Sequence, residues 1–276
     1  MDIKRYLKQR QMLVNKALER YLPQTTRFPG SIHKAMRYSV LGEGKRIRPI
    51  LALAAGEAVG GTISAILPAA CALEMIHAYS LVHDDLPAMD DDDFRRGRPS
   101  CHKKFGEAIG VLAGDALLTF SFELLAGGHH NGRAGVHLQV IREVAQAIGT
   151  DGMIGGQVAD VAAAGRRNLP AATMEYINTR KTGALISASV RIGALLGDAS
   201  PREYQAIRKY GDQIGLVFQL VDDLLDRDGA ARLQGAQEVR QKADRLTQSA
   251  VTALAPFGTK AEPLRALAQF ISTRDF

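Results

Sequence analysis

The chain has 276 residues, 46% of them hydrophobic and 23% charged, which is typical of a globular protein with a sizeable core. The net charge of +6 is dispersed, and no Lys/Arg run with interleaved aromatic residues is present, which argues against a nucleic-acid-binding protein. Cys71 and Cys101 form no CxxC pattern, so we expect no disulfide.

The N-terminus, Met1-Asp2-Ile3-Lys4-Arg5, leads into an amphipathic helix and lacks the apolar core of a signal peptide. No uncharged run approaches the roughly 20 residues needed to span a bilayer. We therefore expect a cytoplasmic protein with no stable membrane association.

Helical spacing recurs along the chain, whereas alternating β-branched runs do not appear, so the pattern predicts an all-α protein. Glycine and proline residues punctuate the helices, and no solenoid repeat or long linker is evident. Several middle helices are apolar nearly all round, which is typical of the interior of a bundle. The predicted helices cover residues 3–21, 31–41, 47–59, 66–85, 105–127, 134–149, 172–196, 202–227, 231–255 and 261–273.

The first chemically informative segment is basic and lies at the start of the third predicted helix. It reads Gly44-Lys45-Arg46-Ile47-Arg48-Pro49, and Pro49 suits the first turn of a helix. Lys45 and Arg48 near a helix N-terminus could bind a diphosphate. An ordinary basic helix start is the alternative.

An aspartate cluster follows the fourth predicted helix, as His83-Asp84-Asp85-Leu86-Pro87-Ala88-Met89-Asp90 and then Asp91 to Asp93. Pro87 is costly inside a helix, so the chain should break after Asp85 and bring Asp90 back towards Asp84. His77 projects from the same stripe as Asp84, two turns lower. Arginines follow in Arg95-Arg96-Gly97-Arg98-Pro99.

A second cluster, Val221-Asp222-Asp223-Leu224-Leu225-Asp226, ends another apolar helix. Asp222 and Asp226 share one helix face, and Gln219 joins it. Upstream, Lys181 in Lys181-Thr182-Gly183 lies among apolar and small residues, where it either snorkels to solvent or reaches a phosphate. The run Gly155-Gly156-Gln157 indicates close packing against a ligand or a helix kink.

Crowded carboxylates repel one another and must protonate, reach solvent or share a cation. Two clusters at helix ends favour Mg²⁺, which takes one or two carboxylates and completes its shell with water and phosphate oxygens. The arginines behind the first cluster would meet the remaining phosphate charge. A solvated acidic loop is the alternative for each cluster alone, and an EF-hand is excluded by its missing Gly and Glu.

Other side chains that often carry chemistry show no such pattern. The histidines His83, His102, His129 and His130 have no metal-ligand spacing, and we assign them no role. No Ser/His/Asp arrangement and no Walker-type phosphate loop is found.

Segment Glu74 to Asp85, continued through Arg95 to Pro99, resembles the first aspartate-rich motif of the trans-isoprenyl diphosphate synthases. Four other segments resemble that family's remaining signature blocks in the same order: 44–49, 155–160, 181–185 and 218–226. The resemblance covers roughly residues 30–228. It implies one polyprenyl synthase domain over 1–276, about ten helices around a deep central cavity, and a homodimer.

The resemblance also implies the reaction: head-to-tail condensation of isopentenyl diphosphate with an allylic diphosphate, using two or three Mg²⁺ ions, for which Mn²⁺ could substitute. The catalytic residues would be Asp84, Asp85, Asp90, Asp222 and Lys181. The metal ligands would be Asp84, Asp90, Asp222 and Asp226, with Asp223 in support. Arg95, Lys181, Thr182 and Gln219 would bind the allylic diphosphate, and Lys45, Arg48, His77 and Arg96 the isopentenyl diphosphate.

Product length in this family depends on bulk one turn before the first motif, where this chain has Tyr79 and Ser80. This pair resembles bacterial farnesyl diphosphate synthases, in which a tyrosine would floor the cavity and stop growth near fifteen carbons. Packing of Tyr79 in the core is the alternative. Geranyl and geranylgeranyl diphosphate are the alternative products.

The pattern departs from the family after Asp226. A loop with glycine and lysine is expected there, but Arg227-Asp228-Gly229-Ala230 runs directly into Ala231-Arg232-Leu233, and the nearest following lysine is Lys242. A weakly active or non-catalytic subunit would tolerate this loss, but usually loses aspartates as well. A class I terpene cyclase would have no use for a second diphosphate site, and a purely structural protein no reason to bury two carboxylate clusters.

Overall fold

Helices account for nearly all of the regular structure, as the sequence pattern predicts. The structure, a computed structural model, describes residues 1–127, 133–164, 169–226 and 235–273, without the side chains of Ala171 and Asp226. Its first half contains α1 (Ile3–Tyr21), α2 (Gly30–Val40), α3 (Ile47–Ala58), α4 (Ile63–Asp84), β1 (Phe94–Arg95), β2 (Arg98–Pro99), α5 (Cys101–Phe105) and α6 (Glu107–Ala126).

The second half contains α7 (Ala134–Ile148), α8 (Met153–Ala163), α9 (Ala171–Ile177), a π-helical segment (Asn178–Gly183), α10 (Ala184–Leu196) and α11 (Pro201–Asp226). It ends with α12 (Ala236–Ala253), a 3₁₀ helix (Ala255–Ala261) and α13 (Glu262–Thr273). The predicted start of the helix 231–255 lies outside the described residues.

Four features differ from the prediction. Helix α8 was missed, since no predicted helix covers Met153–Ala163. The predicted helix 172–196 contains the π segment, and the predicted helix 105–127 starts only after Gly106, whose φ of 89° interrupts it. A two-residue hairpin, β1–β2, was not expected from a sequence without strand signals.

Contacts between Cα atoms group the chain into two compact units that interleave in sequence. The first unit comprises residues 1–6, 51–66 and 132–276, and the second comprises residues 7–50 and 67–131. The expected single domain therefore stays a prediction. Both cysteines are buried and free, as expected.

In the first unit, α10 packs against α7 and α11, and α12 and α13 pack against α11. Close approach of backbones shapes this packing: a Cβ at Gly193 would lie 2.1 Å from the carbonyl oxygen of Ala52. The hydroxyl of the fully buried Tyr210 donates to the carbonyl oxygen of Leu264 at 2.8 Å, which fastens α11 to α13. The hydroxyl of Tyr210 is therefore buried without being left as an unsatisfied hydrogen-bond donor.

In the second unit, α6 packs against α2 and α5. A small apolar cluster fills the space between these helices and α4, with Ala35, Val82, Cys101 and Ala113 at its centre. This cluster supports the C-terminal end of α4, where the first aspartate cluster begins.

Two helices, α4 and α6, are long and apolar enough to cross a membrane by length and composition alone. In α4 67% of the most apolar window is buried inside the protein, and in α6 33%. Core helices pass the same test, so this is weak evidence for a membrane protein.

Candidate active site

The first aspartate cluster folds back on itself where α4 ends. Asp84 is the last residue of α4, and the backbone N–H of Asp90 donates to the carbonyl oxygen of Asp84 at 2.9 Å. The N–H of Asp91 donates to the carbonyl oxygen of Leu86 at 3.1 Å. The predicted return of the chain after Pro87 is therefore confirmed, and Asp84 and Asp90 begin and end one tight loop.

Asp85 is buried, and Arg95 neutralises it. The guanidinium of Arg95 donates twice to one Asp85 oxygen, with Nε at 2.8 Å, and once to Asp92 at 2.8 Å. Burial raises the pKa of the Asp85 carboxyl, and Arg95 partly offsets this rise. A paired Asp85 has less negative charge to offer a metal ion, so its geometry suits a supporting role.

The hairpin β1–β2 displays the arginines that follow the cluster. Its two-residue turn is Arg96-Gly97, with φ of 54° and 72°, the left-handed pair typical of a tight type I′ hairpin. Arg96 reaches the carbonyl oxygen of Glu43 at 2.5 Å, and Arg98 stacks 4.2 Å above the ring of Tyr38. The arginines are thereby fixed against the α2–α3 connection.

Three of the residues expected to bind isopentenyl diphosphate influence one another electrostatically. Burial and then the positive charges of Arg48 and Arg96 hold the pKa of the His77 imidazole well below its ordinary value. Lys45 is exposed, two residues before α3 begins at Ile47. A neutral imidazole beside two guanidinium groups gives a hydrogen-bonding and strongly cationic surface, which suits an anionic ligand.

Arg46, which sequence reasoning passed over, supports this surface from inside. Its side chain is 1% exposed and donates to Glu74 Oε1 at 2.6 Å, to Asn15 Oδ1 at 2.8 Å, and to the carbonyl oxygens of Val40 and Gly42 at 2.9 and 2.6 Å. Arg46 therefore holds the turn between α2 and α3. Its position in the sequence between Lys45 and Arg48 is the one signal that could have drawn attention to it.

Gly44 explains how the arginines come so close to this turn. A Cβ there would lie 2.7 Å from Nη1 of Arg96 and 2.8 Å from Nη1 of Arg46. These distances are far below ordinary carbon contacts, so any side chain would displace both guanidinium groups.

Tyr79 and Ser80 lie on α4, one turn before the cluster. The Tyr79 side chain is 6% exposed, and its hydroxyl has no hydrogen-bond partner among the residues that the structure describes. Burial, and then the charge of Asp84, raises the pKa of Tyr79 to about 12. The Ser80 hydroxyl donates to the carbonyl oxygen of His77 at 3.0 Å. Tyr79 is the bulkier of the two side chains.

In the other unit, the π segment holds Lys181 and Thr182, both half-buried. The ammonium of Lys181 donates to Asp160 Oδ2 of α8 at 2.6 Å. A Cβ at Gly156 would lie 2.2 Å from the backbone nitrogen of Lys181, so glycine is needed for α8 to approach the π segment. The glycines at 155 and 156 thus serve helix packing, and Asp160 is a partner that the sequence prediction missed.

The second aspartate cluster ends α11 in the same unit. Asp223 is buried and accepts from Gln219 Nε2 at 2.8 Å and from Asn178 Nδ2 at 3.0 Å. Gln219 thus contacts Asp223, whereas the helix-face prediction grouped it with Asp222, which is half-buried. Asp226 is the last residue of α11, and its side chain lies outside the described part of the chain.

The donor sets fit hard divalent cations. Carboxylates end both α4 and α11, with cationic side chains in each unit: Arg48, Arg95 and Arg96 in one and Lys181 in the other. Within each unit, carboxylates can bind the ion of a metal-bound diphosphate, and guanidinium or ammonium groups can bind its phosphate oxygens.

Comparisons with known proteins agree with this chemistry. The chain is 44% identical to the chloroplastic geranylgeranyl pyrophosphate synthase of Catharanthus roseus, over 99% of this chain and 82% of that protein. It is 43% identical to a dimethylallyltranstransferase of Fischerella ambigua, over 98% of this chain and 83% of that protein.

Solved structures are similar over almost the whole chain. An FPP/GFPP synthase from Zymomonas mobilis superposes with a TM-score of 0.92 at 35% identity and covers 99% of both chains. A geranyltransferase from Legionella pneumophila has a TM-score of 0.92 at 34% identity and covers 99% of this chain and 98% of that one.

The match to the C. roseus protein extends over 294 positions, although the chain has 276 residues, so that relative has residues with no counterpart here. A shortened connection after Asp226 would account for such residues, and 227–234 lie outside the described part of the chain.

The polyprenyl synthetase family matches residues 29–267. The chain therefore belongs to the polyprenyl synthetase family, whose enzymes elongate prenyl chains from isopentenyl and allylic diphosphates with the help of a divalent metal.

Proposed function

We propose that this protein is a Mg²⁺-dependent synthase that condenses isopentenyl diphosphate with dimethylallyl and geranyl diphosphate to give farnesyl diphosphate. The observation that carries the proposal is the end of α4, where Asp84 and Asp90 close one loop and a hairpin of arginines follows directly. The residues proposed as metal ligands and as phosphate-binding cations thus come from one continuous segment.

The first chemical step is departure of diphosphate from the allylic substrate. Breaking the C–O bond leaves an allylic cation and concentrates negative charge on the leaving group. Asp84 and Asp90 in one unit, and Asp222 and Asp226 in the other, would hold Mg²⁺, which would supply Lewis-acid stabilisation of that charge. Arg95 and Lys181, with Thr182 and Gln219, would bind its remaining oxygens.

The second substrate would be held by Lys45, Arg48, His77 and Arg96. The low pKa of His77 suits this role, since a neutral imidazole can donate one hydrogen bond without adding a buried charge. The isopentenyl double bond then attacks the allylic cation and a proton leaves the new chain. The departing diphosphate is the proposed acceptor of that proton.

Product length is assigned to Tyr79. Its ring is buried on α4, near the charge of Asp84. Its hydroxyl has no hydrogen-bond partner among the described residues. A rigid aromatic ring at this point supports termination at fifteen carbons.

A second candidate product, geranylgeranyl diphosphate, is favoured by the names of several relatives. The proteins from Catharanthus roseus and Cyanophora paradoxa are geranylgeranyl diphosphate synthases, at 44% and 40% identity. Product analysis separates the two candidates.

We further propose that the enzyme is a cytoplasmic homodimer. Helix α6 supports association, because it is strongly apolar and yet leaves Val111 42% and Leu112 53% exposed. Exposed apolar side chains on such a helix are typical of a subunit interface.

The test is incubation of the purified protein with Mg²⁺, radiolabelled isopentenyl diphosphate, and dimethylallyl, geranyl or farnesyl diphosphate in separate reactions. Products are dephosphorylated and separated by chain length. Accumulation at fifteen carbons supports the proposal, and accumulation at twenty supports the second candidate. Absence of condensation with every allylic substrate would overturn the enzyme assignment and favour a non-catalytic subunit.

A further inference from the structure

Three side chains that can bind metals meet at the base of the hairpin, apart from the residues assigned to Mg²⁺. A ring nitrogen of His102 and one carboxylate oxygen from each of Asp91 and Asp93 all lie within 4.8 Å of one another. In the described ranges, no other group of three His, Cys, Asp or Glu side chains comes this close.

The hairpin brings these three side chains close together. Strands β1 and β2 reverse the chain, so that the backbone N–H of Ser100 donates to the carbonyl oxygen of Asp93 at 2.8 Å. Helix α5 starts at the next residue and therefore begins beside the acidic loop. His102 lies in the first turn of α5. The hairpin therefore brings it close to the two aspartates, although the spacing of the three residues in the sequence shows no metal-ligand pattern.

His102 has an unused nitrogen. The residue is 4% exposed, and its Nδ1 lies 3.0 Å from Oγ of Ser100. Its Nε2 is buried and has no hydrogen-bond partner in the part of the chain that the structure describes. An unsatisfied buried polar group is costly, so its presence needs an explanation.

The contact with Ser100 suits metal binding. A serine hydroxyl can accept a hydrogen bond from Nδ1–H, which places the lone pair of the neutral imidazole on Nε2. Histidine ligands of metals commonly donate their other ring N–H to such a partner, which fixes the ring orientation.

We propose that Asp91, Asp93 and His102 form a binding site for a divalent transition metal, with Zn²⁺ the best match. One imidazole nitrogen and two carboxylate oxygens suit Zn²⁺, whereas Mg²⁺ prefers oxygen ligands alone. Zinc bonds of about 2.0–2.2 Å place two ligands at most about 4.4 Å apart. Small rotations of the exposed Asp91 and Asp93 side chains supply the difference.

The bound ion would fasten the acidic loop to the start of α5. Since the hairpin lies between them, the ion would also restrict the motion of Arg95 and Arg96. The site shares no ligand with Asp84 and Asp90.

A neighbouring cation provides a sensitive control. Lys103 Nζ lies 2.7 Å from Asp93 Oδ1 and competes with a metal for that carboxylate. Asp92, in the same run, contacts Arg95 at 2.8 Å and lies outside the proposed ligand set.

The experiment titrates the metal-free protein with Zn²⁺ in excess Mg²⁺ by calorimetry. The imidazole resonances of ¹⁵N-labelled protein are followed in parallel. Asp93→Asn should weaken the site at least about tenfold, whereas Asp92→Asn should leave it unchanged. Lys103→Gln should tighten it, although it breaks the same ion pair as Asp93→Asn. The Nε2 resonance of His102 should shift on saturation in the wild type.

Equal Zn²⁺ binding by the wild type and Asp93→Asn would overturn the proposal, as would a His102 resonance that zinc does not move. Because Asp93 is exposed, its substitution should not impair folding, which circular dichroism will confirm. If His102→Gln also folds, it should lose the same binding as Asp93→Asn, and undiminished binding would count against the site.

Discussion

Replacing Arg46 by methionine tests the internal support of the cationic surface. The side chain makes hydrogen bonds of 2.6–2.9 Å to Glu74, Asn15, Val40 and Gly42 and is 1% exposed, while the Glu74 side chain is 4% exposed. The change leaves a buried carboxylate without its counter-ion and two carbonyl oxygens without a donor.

The expected loss is large because the pair is buried. Removing one partner of a buried ion pair costs about 3–5 kcal/mol, most of it from the stranded charge. The double variant Arg46→Met/Glu74→Leu removes that stranded charge. Its loss should therefore fall to about 1–2 kcal/mol, which reflects the carbonyl oxygens that remain unsatisfied.

The assay is guanidinium unfolding of the wild type, both single variants and the double variant, from which a double-mutant cycle gives the coupling energy. Arg208→Met is the matched control, since its side chain is 52% exposed and lies 3.8 Å from Asp212. That loss should stay below about 1 kcal/mol.

A coupling energy near zero, which means that the double variant loses as much stability as the two single variants together, would refute the stranded-charge reasoning. If the reasoning holds, Arg46→Met should also raise KM for isopentenyl diphosphate, because the turn it anchors leads directly to Lys45 and Arg48.

Three further variants test the proposed reaction. Asp84→Ala should lower kcat at least about a hundredfold and leave the unfolding midpoint nearly unchanged. Tyr79→Ala should shift the main product beyond fifteen carbons and cost about 3–5 kcal/mol of stability. His77 has a lowered pKa in the folded state, so only the unfolded chain takes up its proton just below about pH 6.5. The wild type should lose stability as the pH falls through this window, and His77→Gln should lose less.

Matched controls separate these effects from general damage. Asp115→Ala, on α6 with a 60% exposed side chain, should keep wild-type turnover where Asp84→Ala does not. His137→Gln removes a different imidazole and should retain the pH dependence that His77→Gln reduces. Unchanged product length in Tyr79→Ala would contradict the floor assignment, and equal pH slopes would contradict the role of His77.

The end of a helix and the return of the chain after it could be predicted where one residue had a strong local effect. Pro87 required the helix to break, and the hydrogen bond between Asp90 and Asp84 shows the return that follows. Packing partners could not be predicted in this way. Gly156 was interpreted as packing against a ligand or as part of a helix kink, whereas the need for glycine comes from the backbone of Lys181, a residue of another element.

The hairpin and the surroundings of His102 escaped prediction for related reasons. Strands of two residues are too short to show alternation, and Arg96 adopts a φ of 54° that its side chain does not favour. The proximity of His102 and Asp93 depends on that reversal, so sequence spacing alone could not reveal it. Long helices were predictable from periodicity, whereas contacts made across a turn were not.

The π segment at Asn178–Gly183 amounts to one extra residue inserted into a continuous helix. Beyond it, Leu185 to Val190 are all buried, whereas before it Glu175 and Tyr176 are exposed. The insertion changes the phase of the helix without a loop, so a largely buried helix can continue directly from a more exposed one. The rotational offset therefore lets Lys181 reach Asp160 while the residues that follow it pack into the core.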